Sequence, residues 1–83
     1  MRILYFAWLR EKIGVGQEEF APPAGTLTPR DLALVLSARG PGYAAAFADM
    51  RLIRCALDRE FAGLDESLGA AAEVAFFPPV TGG

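Results

Sequence analysis

Histidine is absent from the chain, and cysteine occurs once, as Cys55. Without histidine there is no Ser-His-Asp triad, no Cys-His dyad and no ordinary zinc site within this chain. A lone cysteine cannot close an internal disulfide, so nothing points to an oxidising compartment. A basic excess is missing as well. Eight Lys and Arg are set against ten Asp and Glu, and the sequence pI is about 4.9. That balance argues against a nucleic-acid partner. Long apolar runs are lacking: the seven residues between Arg2 and Arg10 are too few to cross a bilayer, and no small-residue cleavage site follows them. The expectation is a cytoplasmic protein without membrane association. Finally, Gly14-Val15-Gly16 lacks the rest of any phosphate-binding fingerprint, so no cofactor-binding residue is assigned and no stably bound cofactor is expected.

What is present suits one small folded domain. Hydrophobic residues make up 53% of 83 residues and charged residues 22%, which excludes a disordered chain. Residues 2–8 are rich in Ile, Leu, Tyr, Phe and Trp and read as a first strand. Residues 9–16 read as a turn or a helical turn, and Gln17–Ala21 as a second strand paired to the first, ended by Pro22, Pro23 and Gly25. Thr28 as a hydroxyl N-cap, Pro29 at the first helical position and Asp31 in the first turn mark a helix start. The spacing of Leu32, Val35 and Leu36, widened by Leu34, predicts a helix over 29–39. Residues 40–50 read as a loop carrying a short helical turn. Residues 51–57, 60–62 and 73–77 read as strands, with a turn at Asp58–Arg59 and a stop at Pro78–Pro79. One amphipathic helix across a mixed sheet, with the hydrophobic first and last strands central and adjacent, is an α+β fold of the β-grasp, or ubiquitin-like, kind. The domain is expected over 1–79, with 80–83 as a flexible C-terminal tail.

Strand parity assigns the two faces, because neighbouring residues point to opposite sides. With Arg2, Arg54 and Glu73 directed to water, Leu4, Phe6, Trp8, Leu52, Ala56, Ala75 and Phe77 share the outward face. Ile3, Tyr5, Ile53, Cys55, Leu57, Val74 and Phe76 point inward. So much outward apolar area needs a cover. Either segment 40–50 folds over it, or it is a partner surface; aromatics bordered by Arg and Glu favour the second. Cys55, on an inward position, reads as a small buried hydrophobe and not as a nucleophile.

The C-terminus carries the remaining chemistry. Two glycines without side chains suit threading into a narrow channel, and two prolines stiffen the exit from the sheet. The six residues Pro78–Gly83 reach roughly 20 Å when extended. A terminal carboxylate is ionised at neutral pH and is a poor electrophile until another enzyme activates it, for instance as an acyl-adenylate.

The run Glu73-Val74-Ala75-Phe76-Phe77-Pro78-Pro79-Val80-Thr81-Gly82-Gly83 resembles the C-terminal signature of the molybdopterin synthase small-subunit family. The opening strand followed by Leu9-Arg10-Glu11 and Gly14, and the chain length, are similar to that family too. The resemblance implies a ubiquitin-like sulfur carrier. It implies that Gly83, preceded by Gly82, is adenylated with ATP by an activating enzyme and converted to a thiocarboxylate with a sulfur donor enzyme. The tail then enters the synthase large subunit in a heterotetramer and gives sulfur to a cyclic pterin precursor. Phe6 and Phe77 match the family's hydrophobic contact positions; Leu4, Pro78, Pro79, Val80 and Thr81 complete the expected partner surface. No turnover is expected from this chain alone. Asp58, where the family has Asn, and Gly69–Ala72, where it has an acidic turn, depart from the pattern. Other readings are a carrier for thiamine, cysteine or thiouridine synthesis, a lysine-tagging modifier, or a plain interaction module.

Overall fold

A computed structural model describes residues 1–79 of the chain. Five strands form one mixed sheet: β1 (Arg2–Tyr5), β2 (Gln17–Glu19), β3 (Arg54–Leu57), β4 (Glu60–Ala62) and β5 (Glu73–Phe77). Their spatial order is β2-β1-β5-β3-β4. The central pair, β1 and β5, is parallel, with Ile3 beside Val74 and Tyr5 beside Phe76; the other pairings are antiparallel. The expected β-grasp arrangement, with first and last strands adjacent at the centre, is therefore the one observed.

Three helices occupy one face: α1 (Ala7–Ile13), α2 (Pro29–Ser37) and α3 (Pro41–Ala46). α2 starts as its sequence dictates. The Thr28 hydroxyl accepts from the Asp31 amide at 3.1 Å, and the Asp31 carboxylate accepts from the Thr28 amide at 3.2 Å. This closes a reciprocal capping box, with Pro29 at the first helical position. α2 buries Leu32, Ala33 and Leu36, but Leu34 points to solvent instead of widening the stripe.

α1 corrects the expected first strand. The alternating pattern stops at Tyr5, and Ala7 at φ 54 breaks the extended chain. From there the period is helical: Leu9 is fully buried, Trp8 and Ile13 lean on the core, and Gly14 at φ 96 caps the end, donating its amide to the Arg10 carbonyl at 2.8 Å. Trp8 is thus a helix residue against the core, not part of the outer sheet face. The third strand also begins later than expected. Met50–Leu52 form a single 3-10 turn, so Leu52 lies outside the ladder.

Segment 40–50 lies on the helical side. Its six-residue helix α3 packs on α1 and α2. Phe47 meets Phe76 edge-on at 5.0 Å and Tyr5 at 6.5 Å. The core between sheet and helices is filled by Ile3, Tyr5, Ile53, Val74 and Phe76 from below and Leu9, Leu32 and Leu36 from above, all at 1% exposure or less.

One polar knot sits at the margin of this core. Register places Glu18 opposite Ile3, on the helical side. Its carboxylate accepts from the hydroxyls of Tyr5 and Tyr43, both at 2.7 Å, and from Arg39 Nη1 at 2.9 Å. The Arg39 guanidinium also lies over the rings of Phe20 and Tyr43, 4.9 Å from each centroid. Partial burial pushes the Glu18 carboxyl up, but the bonds from Tyr43, Tyr5 and Arg39 outweigh it and hold the group below the usual carboxylate value. Burial and the neighbouring carboxylate raise the Tyr5 phenol, so it stays a donor throughout the ordinary pH range.

Replacing Glu18 with Gln is expected to lower unfolding stability by about 1–3 kcal/mol at neutral pH. A lowered carboxyl stabilises the fold fully above its unfolded-state value, and that contribution is lost as pH falls through the folded value. The gap between wild type and E18Q in urea midpoints should therefore narrow in acid. Gly42→Ala tests the α1–α3 approach. A Cβ at Gly42 would overlap the Lys12 carbonyl oxygen, a backbone atom, so a loss of about 1–3 kcal/mol is expected in the same measurement.

Candidate functional site

The face of the sheet opposite the helices has three rows, and the strand register fixes each. The middle row runs Gln17, Leu4, Ala75, Ala56, Phe61 across all five strands. Ala75 and Ala56 are small and overshadowed by their neighbours, which makes the centre of the row shallow. At the C-terminal end of β5, Phe77 stands opposite Arg54, and continuing the parallel register by one residue sets Phe6 on its other side. The Phe6 amide donates to the Phe76 carbonyl at 3.2 Å, so Phe6 still hangs on the ladder although the strand has ended. At the opposite end, Glu19, Arg2 and Glu73 line up beside Arg59, with N–O separations of 3.7–3.8 Å.

The parity assignment made from charged residues thus describes this face correctly for Leu4, Phe6, Ala56, Ala75 and Phe77. Leu4 and Phe77 are half-buried, and Phe6 is 46% exposed. Helix α3 and its neighbours cover the other face, so segment 40–50 leaves this one open. Pro78 and Pro79 follow Phe77, half-buried, at the aromatic end. Val80, Thr81, Gly82 and Gly83 lie outside the described residues.

Phe61 is the residue that sequence reasoning overlooked. It is 84% exposed and its ring packs on Phe77 with centroids 5.7 Å apart. The signal was available: Asp58 and Arg59 form a two-residue turn, both with positive φ, which pairs Ala56 with Phe61 and brings both to the same face. Asp58 also anchors this turn to the start of β5, since its Oδ1 accepts from the amides of Ala72 and Glu73 at 2.9 and 3.0 Å. The departure from Asn at this position therefore keeps an acceptor where one is used.

Cys55 faces the core and donates to the Ala62 carbonyl at 3.2 Å. Burial, with a smaller contribution from Glu66, pushes its thiol up to about 11. It carries no thiolate at neutral pH and is no nucleophile there. No cluster of His, Cys, Asp and Glu among the described residues would hold a metal ion, and no helix among them is long and apolar enough to cross a membrane. The site is an apolar, aromatic-ended sheet face, and the chain leaves it through two prolines.

Comparison with known proteins places this geometry. The family model described as "ThiS family" matches residues 3–83. The molybdopterin synthase sulfur carrier subunit of Escherichia coli (strain K12) is 36% identical over 83 residues, covering 100% of this chain and 99% of that protein. The protein of the same name from Haemophilus influenzae is 32% identical over 87 residues, again covering 100% and 99%. Among solved structures, small archaeal modifier protein 1 of Haloferax volcanii superposes with a TM-score of 0.73 at 28% identity, over 95% of each chain. On its sequence match, its β-grasp sheet and its full-length likeness to these relatives, the chain belongs to the ThiS family.

Proposed function

We propose that this chain is a sulfur carrier subunit of molybdopterin synthase, working through the carboxyl of Gly83. The observation that carries the reading is the placement of Phe6 and Phe77 beside the point where Pro78–Pro79 leave the sheet. A partner that docks on this aromatic end receives the tail at its own entrance. The full-length likeness to sulfur carrier subunits supports it, as does the family match reaching residue 83.

The chemistry follows from the weakness of a carboxylate as an electrophile. An activating enzyme joins a Gly83 carboxylate oxygen to the α-phosphorus of ATP, and pyrophosphate leaves. A sulfur donor enzyme then supplies sulfur at the sulfide level, which attacks the carbonyl carbon and expels AMP, leaving a thiocarboxylate. The synthase large subunit takes the tail into its channel, where the thiocarboxylate sulfur bonds to carbon of a cyclic pterin precursor in place of an oxygen, and water cleaves the acyl–sulfur bond to return the Gly83 carboxylate. Gly82 and Gly83 fit a narrow channel because they have no side chains; Val80 and Thr81 lie in its mouth, and the body of the domain stays outside. ATP is consumed by the activating enzyme and is not held by this chain. The protonated, buried Cys55 agrees with this division of labour, since it leaves the sulfur-bearing role to the terminus. All these steps belong to the cytoplasm.

The likeness to a small archaeal modifier favours one second reading, in which Gly83 is joined to lysines of other proteins. The two readings differ in product. Incubation with the activating enzyme, ATP and a sulfur source should change the intact mass by one oxygen exchanged for sulfur. Deletion of Gly83 should abolish that change while leaving the thermal melt unaltered. Amide-linked conjugates in place of the exchange would favour the modifier, and an unchanged mass would defeat the carrier. Phe77→Asp should weaken binding to the large subunit by roughly 10- to 1,000-fold, because it sets a charge in a desolvated apolar centre. Titration calorimetry reads this directly; wild-type affinity in the variant would remove Phe77 from the interface.

A further inference from the structure

Arg54 stands at the aromatic end, opposite Phe77, and its hydrogen bonding leaves one edge unused. Nη1 donates to the carbonyls of Arg51 and Ile53, both at 3.0 Å, which fixes the plane of the guanidinium. Among the described residues, Nε and Nη2 have no hydrogen-bond partner, and no carboxylate lies within ion-pair distance. That Nε–Nη2 edge is the fork with which this same molecule grips carboxylates elsewhere. Arg30 holds Asp65 with Nε and Nη2 at 2.8 and 3.2 Å, and Arg51 holds Asp49 with the same two atoms at 3.0 Å each.

The surroundings of Arg54 suit a side chain from outside. It stands opposite Phe77 in the ladder, and with Phe77, Phe61, Cys55 and Ala62 it borders a hollow of about 240 Å³ with an aromatic wall. A short acidic side chain entering there sets its methylene groups on the rings and its carboxylate on the open fork. Resting on the reading of the chain as a carrier subunit, we propose that Arg54 is a specificity-determining residue. It takes an Asp or Glu carboxylate on the surface of the synthase large subunit, beside the mouth of the channel that receives the tail. The argument is charge complementarity together with continuity. The cation is prepositioned on the residue pair from which the tail departs, so a partner that admits the tail covers it, and a covered guanidinium needs a bidentate acceptor.

The test is titration of the full chain with the large subunit at low and high ionic strength, for wild type, Arg54→Leu and Arg54→Lys. Leu enlarges the apolar face, so a purely apolar contact would bind R54L as tightly as wild type or more tightly. A carboxylate contact predicts roughly tenfold weaker binding of R54L at low salt and a shallower salt dependence than wild type. R54K should lie between them, keeping the charge and losing the fork. Equal or tighter binding of R54L overturns the proposal while leaving the carrier reading intact. So does weaker binding with an unchanged salt slope, which marks a role confined to holding the 3-10 turn; the melting temperature of each variant identifies that case. Absence of binding by the wild type overturns the proposal together with the reading beneath it, whereas binding lost only in Phe77→Asp preserves the reading alone.

Discussion

The parallel pairing of β1 with β5 is the constraint on which the rest of the molecule depends. Those two strands come from opposite ends of the sequence, and their register sets Tyr5 beside Phe76. Inward, that pair supplies the aromatic floor on which Phe47 and the helices close. Outward, one residue further along, the same register aligns Phe6 with Phe77. A slip of one residue would exchange the two faces, burying Glu73 and expelling Val74 and Phe76. Core packing and the exposed aromatic end are therefore specified by one set of backbone hydrogen bonds.

The two faces are held apart by different means. On the helical side burial is nearly complete, and the charge of Glu18 at its margin is satisfied by two tyrosine hydroxyls and the Arg39 guanidinium. On the other side no helix among the described residues lies over the sheet, and three rows grade from ion pairs at one end to aromatics at the other. The ion pairs at that end are long, at 3.7–3.8 Å, and their arginines are exposed, so they add little to stability. They do keep the exposed sheet from being apolar throughout, which confines the sticky surface to the end where the chain exits.

The location of the reactive group follows the same logic. The chain has no histidine, and its single thiol is buried and held protonated, so the side chains of the domain offer little covalent chemistry. Membership of the ThiS family and the full-length likeness to sulfur carrier subunits direct attention to the terminus instead. The described part of the domain presents an exposed aromatic end beside the point where Pro78 and Pro79 leave the sheet.

Much of this was legible in the residues. The capping box of α2, the alternation of β1, β3 and β5 and the proline stop each follow from local rules, and with them the β-grasp order and the parity of Leu4, Ala75 and Phe77. What could not be read locally were the points where periodicity changes within one apolar run. Ile3–Leu9 looks continuous, yet the chain is a strand to Tyr5 and a helix from Ala7, because Leu9 and Ile13 gain more by closing over the core than by continuing the strand. Leu34 is a different case: it stands two residues from both Leu32 and Leu36, so the 3.6-residue period itself turns it to the opposite side of α2, where it faces solvent. Phe61 joins the outer face only because a two-residue turn fixes the register of β4, and Arg54 has an unused fork only because nearby carbonyls take its other nitrogen. The sequence by itself determined which segments could be strands or helices and which side of each is apolar, for these depend on spacing along the chain. Which apolar side stays uncovered, and which charge stands beside it, was decided by tertiary structure, because both depend on contacts between residues far apart in the chain.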